Sequence, residues 1–457
     1  MSPTRPSWAG SAALSGGRTG RVREGRRSER RLRLVTARTF RSLQNRNYRL
    51  FFTGQLVSVV GTWMQTVAQS WLVLTLTGSG LALGVAAALQ FLPMLLFGAW
   101  GGLVADRFDK RRLLIATQSA AGLLAFVLGL LVVTDVVTLW MVYALALLLG
   151  AVSVVDMPTR QAFVTEMVGA DEVPNAVGLN SAVFNTGRLV GPAAAGLLVA
   201  SVGVGPCFLL NAVSYVGVVA GLRAMRVDEL HRQAPVVAGP GQVRAGLRYV
   251  WSTPELRSTL LLVAAIGTFG LNQTVVLPLL ARYALSGGVR LYGLLSSMIA
   301  AGSLAGALFA ASRRRPSRRL LLGSAAAFGS FTIVAAAAPS PLTVAVALVP
   351  TGLATLLFLA SANSTLQLGS AADMRGRVMA LYGLVLLGSN PVGGPLLGWV
   401  SGRWGPRVGM GLGGVVSLGA ALLAVAVRSG RRWPRLRPVP VEASPAAAIS
   451  TLPTEAA

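Results

Sequence analysis

The sequence predicts an all-α membrane protein of twelve transmembrane helices in two pseudo-symmetric six-helix bundles. Three observations carry that prediction. Apolar residues make up 53% and charged residues 12% of the 457 positions, with a mean hydropathy of +0.64, which leaves too little polar surface for a water-soluble domain. Apolar runs of roughly 20 residues, the length that crosses a hydrocarbon core, recur twelve times. One long polar connection, residues 227–256, divides them six and six.

Residues 1–45 are rich in Arg, Ser and Gly, lack an apolar period and contain no signal-peptide core, so they are expected to form a disordered basic cytoplasmic tail. The spans follow at 49–76, 82–105, 112–134, 138–158, 176–201 and 205–224, an N-terminal bundle over 46–226. After the cytoplasmic linker 227–256 come 258–282, 291–311, 319–338, 342–364, 377–402 and 407–427, a C-terminal bundle over 257–428, then a second disordered tail, 429–457. Placing the first tail inside puts 36 of the 41 Lys and Arg residues in cytoplasmic segments, leaving Arg282, Arg290, Arg403 and Arg407 outside and Arg188 within a span. A multi-pass plasma-membrane protein with both termini in the cytoplasm is therefore expected.

The net charge of +26 reads as topology rather than nucleic-acid binding, because the cations fall in tails and alternate loops and are not interleaved with aromatics. A lone cysteine, Cys207, excludes an internal disulfide, and a lone histidine, His231, sits in the polar linker. Metal centres and nucleophile–His constellations are thereby disfavoured, and neither a cofactor nor an enzyme is expected.

The halves also resemble each other at a shift of about 206 positions. Gly61-Thr62-Trp63 parallels Gly267-Thr268-Phe269, Arg111-Arg112-Leu113-Leu114 parallels Arg318-Arg319-Leu320-Leu321, and Gly191-Pro192 parallels Gly394-Pro395. The common order of these short matches argues for two parallel repeats.

Polar residues inside the spans must face protein or water. In span 1, Gln55, Ser58, Thr62, Gln65 and Gln69 recur at steps of three and four on one helix face. They read as a cavity wall, flanked by Trp63, with amide packing between helices as the alternative. Thr268, Asn272 and Gln273 of span 7 are expected on the opposite wall. In span 5, Ser181, Asn185 and Arg188 share a face, and Arg188 lies near the bilayer middle, where a cation calls for a partner, a wet cavity or a function. Asn185, Gln65 and Gln69 are its expected neutral neighbours; satisfaction by carbonyls freed near Pro192 is the alternative. Span 5 also carries Gly178, Gly187, Gly191, Pro192 and Gly196, a spacing that lets backbones touch.

Three stretches carry a family resemblance. The loop Gly102-x-x-x-Asp106-Arg107-x-x-Lys110-Arg111-Arg112 resembles the loop between helices 2 and 3 of the major facilitator superfamily, with Asp109 where that family usually has Gly. The span 5 glycines and proline look like the helix-5 motif of the superfamily's exporters, with Ala195 replacing one glycine. The run from Asp156-Met157-Pro158 to Gly191-Pro192 resembles the enterobactin-exporter and macrolide-efflux branch, a likeness covering roughly residues 40–428.

The resemblance implies a secondary active transporter, expected to be monomeric, that exports a small drug-, siderophore- or metabolite-like molecule by alternating access in the lipid bilayer. An importer of the same fold is the alternative, and a receptor or scaffold a more distant one. Proton coupling is an open possibility, although Ala146 or Leu147 stands where the superfamily's drug–proton antiporters have a membrane arginine. The resemblance further implies a gate of Gly102, Asp106, Arg107, Lys110, Arg111 and Asp156. Asp156 is expected to pair with Lys110 or Arg111, and Asp106 to face the start of span 11 near Gly376 and Arg377, in the outward-open state. In the simpler alternative, Asp156 satisfies Arg160 four residues on. The tails 1–40 and 432–457 are expected to be dispensable for transport.

Overall fold

A backbone in hydrocarbon must satisfy its own N–H and C=O groups, which leaves these apolar runs little choice but helix. The computed structural model describes residues 41–231, 242–313 and 317–429. The two tails, linker residues 232–241 and residues 314–316 lie outside them.

The N-terminal half comprises α1 (Arg46–Thr77), α2 (Gly80–Arg107), α3 (Lys110–Val133), α4 (Leu139–Val168), α5 (Val173–Val202) and α6 (Gly205–Arg223). A short linker helix, α7 (Gln242–Ser252), precedes the C-terminal half: α8 (Pro254–Gly270), α9 (Gln273–Leu279), α10 (Val289–Ala311), α11 (Arg318–Ala337), α12 (Pro341–Gly369), α13 (Arg375–Trp404) and α14 (Pro406–Ser429). Counting α8 and α9 as one broken span gives twelve crossings. Eleven of the twelve are long and apolar enough to span a membrane. The exception is α1, whose glutamines, serines and threonines lower its hydropathy.

Local chemistry sets the boundaries. The Asn45 side chain accepts the Tyr48 N–H at 3.1 Å and starts α1. The Asp109 carboxylate accepts the Arg112 N–H at 2.8 Å and starts α3, which gives the departure at this position a structural role. Gly78 ends α1 at φ +64°, a left-handed conformation suited to glycine. Gly101 and Gly102 lie inside α2 rather than in the turn that follows it. Span 4 runs ten residues beyond its predicted end at 158, to Val168. Span 7 is interrupted at Leu271–Asn272, and the linker contains α7.

We call the side bearing the α2–α3 turn the charged face. At the other face a shared apolar core joins the halves, with Leu74, Ala82 and Leu83 packed among Leu277, Leu279, Tyr292 and Leu397. Nearer the charged face the cores separate: Tyr48, Phe51, Phe163 and Leu222 cluster within the N-terminal half, and Leu256, Phe358 and Val378 within the C-terminal half. The two halves are thus closed on each other at the uncharged face.

Closure there brings backbones into contact. Gly80 and Gly84 of α2 face Gly398 and Gly394 of α13 so closely that a methyl group at Gly80, Gly84 or Gly398 would overlap the opposing carbonyl. Across α5 and α10, Gly293 abuts the Pro192 carbonyl and the Cα of Gly196. Gly187 and Gly191 instead press on Val59, Val60 and Trp63 of α1. Gly178 and Gly102 have open space where a Cβ would stand, so a close-approach role does not apply to them.

Gly84→Val should therefore wedge the seam and shift the population towards the opposite conformation. A cysteine at buried Leu279, probed from the uncharged face with a membrane-impermeant maleimide, should label several-fold faster in the Gly84→Val background. Equal labelling rates would contradict the seam. Native Cys207 is buried and adds no background.

Candidate functional site

Between the halves lies a cavity of about 650 Å³, a size that suits a drug-like molecule. Gln55, Thr62, Trp63 and Gln69 of α1 line it, as do Arg188 of α5 and Gln273 of α9. Among the described residues, every charged group on its wall comes from the N-terminal half: Asp156, Arg160 and Arg188. The C-terminal half contributes neutral polar groups, among them Gln273, Thr274, Ser296 and Asn390.

Two of the three charges neutralise each other. Asp156 forms an ion pair with Arg160 one turn away on α4. Its carboxylate also accepts hydrogen bonds from Thr117 (2.8 Å) and Gln118 (2.7 Å) of α3. Arg160 in turn donates to Gln55 at 3.3 Å. The Tyr215 hydroxyl of α6 lies 3.4 Å from that of Thr62. Arg188 stands apart. It makes no hydrogen bond or ion pair among the described residues; its guanidinium lies 5.8 Å from the centroid of the Trp63 ring. Trp63 in turn meets Phe184 edge to face at 5.6 Å.

Four expected cavity residues, Gln65, Asn185, Thr268 and Asn272, do not line it. Gln65 sits about 60° round α1 from Thr62 and accepts a 2.6 Å hydrogen bond from Asn211 of α6, so it joins helices. Asn185 donates at 2.8 Å to the Ser181 carbonyl of its own helix; the cavity face of α5 is Asn180, Phe184, Arg188 and Pro192, at steps of four. Asn272 is 2% exposed and donates to the carbonyls of Gly267 (3.3 Å) and Thr268 (2.7 Å), which the break in span 7 frees. Gln118 and Tyr215 line the cavity from α3 and α6 with no sequence signal that singles them out, whereas Arg160 is the partner that the simpler alternative gave Asp156.

The expected gate residues are also rearranged. Asp156 lies twelve residues before the end of α4, or roughly 18 Å along its axis, deeper than its expected place at the edge, and pairs with Arg160 in this conformation; its pairing with Lys110 or Arg111 is an expectation for the outward-open state. Lys110 forms a 2.7 Å ion pair with the buried Glu166. Arg111 donates to the carbonyls of Leu222 (2.7 Å) and Arg223 (3.0 Å), capping α6 where the helix dipole favours a cation. Arg107 is exposed, and Asp106 is half-buried without an ion-pair partner among the described residues.

Removing one member of a buried ion pair strands the other, whereas removing both does not. Asp156→Asn should lower thermal stability by about 1–3 kcal/mol, and adding Arg160→Gln should restore part of the loss. A double variant less stable than the single by the full cost of Arg160→Gln alone would show the two to be uncoupled.

The family profile described as transmembrane secretion effector matches residues 37–444. The Staphyloferrin A transporter of Staphylococcus aureus is 27% identical over 56% of this chain and 64% of its own length, so the match spans just under two thirds of that relative. Multidrug efflux pump Tap of Mycolicibacterium fortuitum is 28% identical over 76% of this chain and 88% of its own. Among solved structures, nucleoside transporter NupG superposes with a TM-score of 0.69 at 14% identity, covering 84% of this chain and all of that one. The chain belongs to the transmembrane secretion effector family, within the efflux-like branch of the major facilitator superfamily.

Proposed function

We propose that this protein exports a small organic molecule bearing a negative charge or strong hydrogen-bond acceptors on an aromatic or apolar frame. The observation that carries this reading is the unmatched Arg188 guanidinium over Trp63 in a cavity whose other two charges cancel. Placing a cation where water is scarce disfavours cationic substrates and rewards an anion that replaces its lost hydration. Export as the direction draws support from the relative named as a multidrug efflux pump. With the arginine-rich charged face in the cytoplasm and both termini there, the conformation is inward-open, the state that receives cargo from inside the cell. A monomer suffices, since one chain completes the cavity.

Alternation then requires the glycine seam to part and the charged face to close, with Asp106 approaching the start of α13 near Gly376 and Arg377.

The test is accumulation of candidate anionic and cationic compounds in cells with and without the protein, each with and without a protonophore. Arg188→Gln should weaken handling of anionic compounds about ten- to hundred-fold, the equivalent of a hydrogen bond to a charged group of roughly 1.5–3 kcal/mol. Arg188→Lys, which keeps charge but loses the planar fork, should fall between. A well-expressed Arg188→Gln protein with normal rate and unchanged preference overturns the reading.

A further inference from the structure

The linker helix α7 has two unlike faces. On one, Val250 is fully buried in the C-terminal core, Gly246 sits against the side chain and backbone of Arg377, and the Tyr249 hydroxyl accepts the Ala371 N–H at 3.1 Å. These contacts fix the helix to the first turn of α13 and to the connection before it. On the other face, Leu247 and Trp251, one turn apart, are 45% and 54% exposed, and Arg248 is exposed beside them.

The height of this face is set by the chain. α7 ends at Ser252 and α8 enters the membrane region at Pro254, so Trp251 stands within a few residues of a span's start, tied there also by the Arg257 guanidinium on its carbonyl at 3.5 Å. Tryptophan, leucine and arginine on one face at that level match the three layers of a bilayer edge: hydrocarbon boundary, interface and anionic headgroup.

We propose that the Leu247–Arg248–Trp251 face of α7 docks into the lipid headgroup layer, with Arg248 on an anionic phospholipid headgroup. α7 is then a surface float that holds the first turn of α13 at a fixed depth. The proposal does not depend on the cargo or direction of transport.

Spin labels on Leu247→Cys and on Trp251→Cys test it, with Asp228→Cys, exposed in the linker, as the water reference. Collision rates with oxygen and with a water-soluble nickel chelate are measured in phosphatidylglycerol and in phosphatidylcholine vesicles. Both α7 labels should favour oxygen several-fold over the reference, and adding Arg248→Gln should lower that preference in phosphatidylglycerol but not in phosphatidylcholine. Nickel access equal to the reference overturns docking, as does protection from both reagents, which would mean that protein covers the face. A preference indifferent to Arg248→Gln in both vesicles overturns the anionic headgroup.

Discussion

Matching every polar group inside the hydrocarbon is the constraint on which this structure depends. Unpaired N–H, C=O or charge there costs several kcal/mol, and the solutions are visible residue by residue. Gln65 is joined to Asn211, Asn272 covers carbonyls opened by the break in span 7, and Asp156 is held by Thr117, Gln118 and Arg160. Each arrangement ties one helix to itself or to a neighbour in its own half. Among the charged groups on the cavity wall Arg188 stands out, since its guanidinium lies over the Trp63 ring and makes no hydrogen bond or ion pair among the described residues. It lines the cavity between the halves, where a cargo can supply the partner that the described residues do not; the buried oxygens Gln118 Oε1, Asn272 Oδ1 and Ser401 Oγ also lack a hydrogen-bond partner among the described residues.

The two faces of the molecule are held by different physics. At the uncharged face, closure relies on backbone approaching backbone through Gly80, Gly84, Gly293, Gly394 and Gly398. It is supplemented by Arg282 donating to the Leu74 carbonyl at 3.2 Å and by Tyr283 donating to that of Gly78 at 3.0 Å. These contacts are short-ranged and lapse together on a small rotation, which suits a reversible seal. At the charged face, the pairs Lys110–Glu166 and Arg111–Leu222 lie within the N-terminal half and can persist as that half moves as a unit. A rocking motion about the cavity thus breaks few of the interactions that define each bundle.

Much of the fold was legible in the sequence because hydropathy and cation placement are properties of consecutive residues. The twelve spans, the division at the linker and the cavity-facing positions Gln55, Thr62, Gln69 and Arg188 all follow from local pattern. The misplaced residues share a cause: rotation and depth depend on neighbouring helices. A polar stripe at steps of three and four covers enough of the helix that Gln65 turns to α6 while Thr62 faces the cavity. Asn185 lies one position from the true face of α5 because Asn180, Phe184 and Arg188 mix polar with aromatic. Asp156 was taken for an edge residue since α4 continues through Met157–Val168, polar enough to read as a loop. Its partners Thr117 and Gln118 come from another helix, which no reading of span 4 alone could supply.

The account turns on Arg188 being available to cargo. A structure of the protein with a transported compound bound would measure this directly. The account predicts an acceptor or anionic group within about 3 Å of the Arg188 guanidinium, packed beside Trp63 and Phe184. A compound bound away from Arg188, with the guanidinium turned to backbone carbonyls near Pro192, would contradict it.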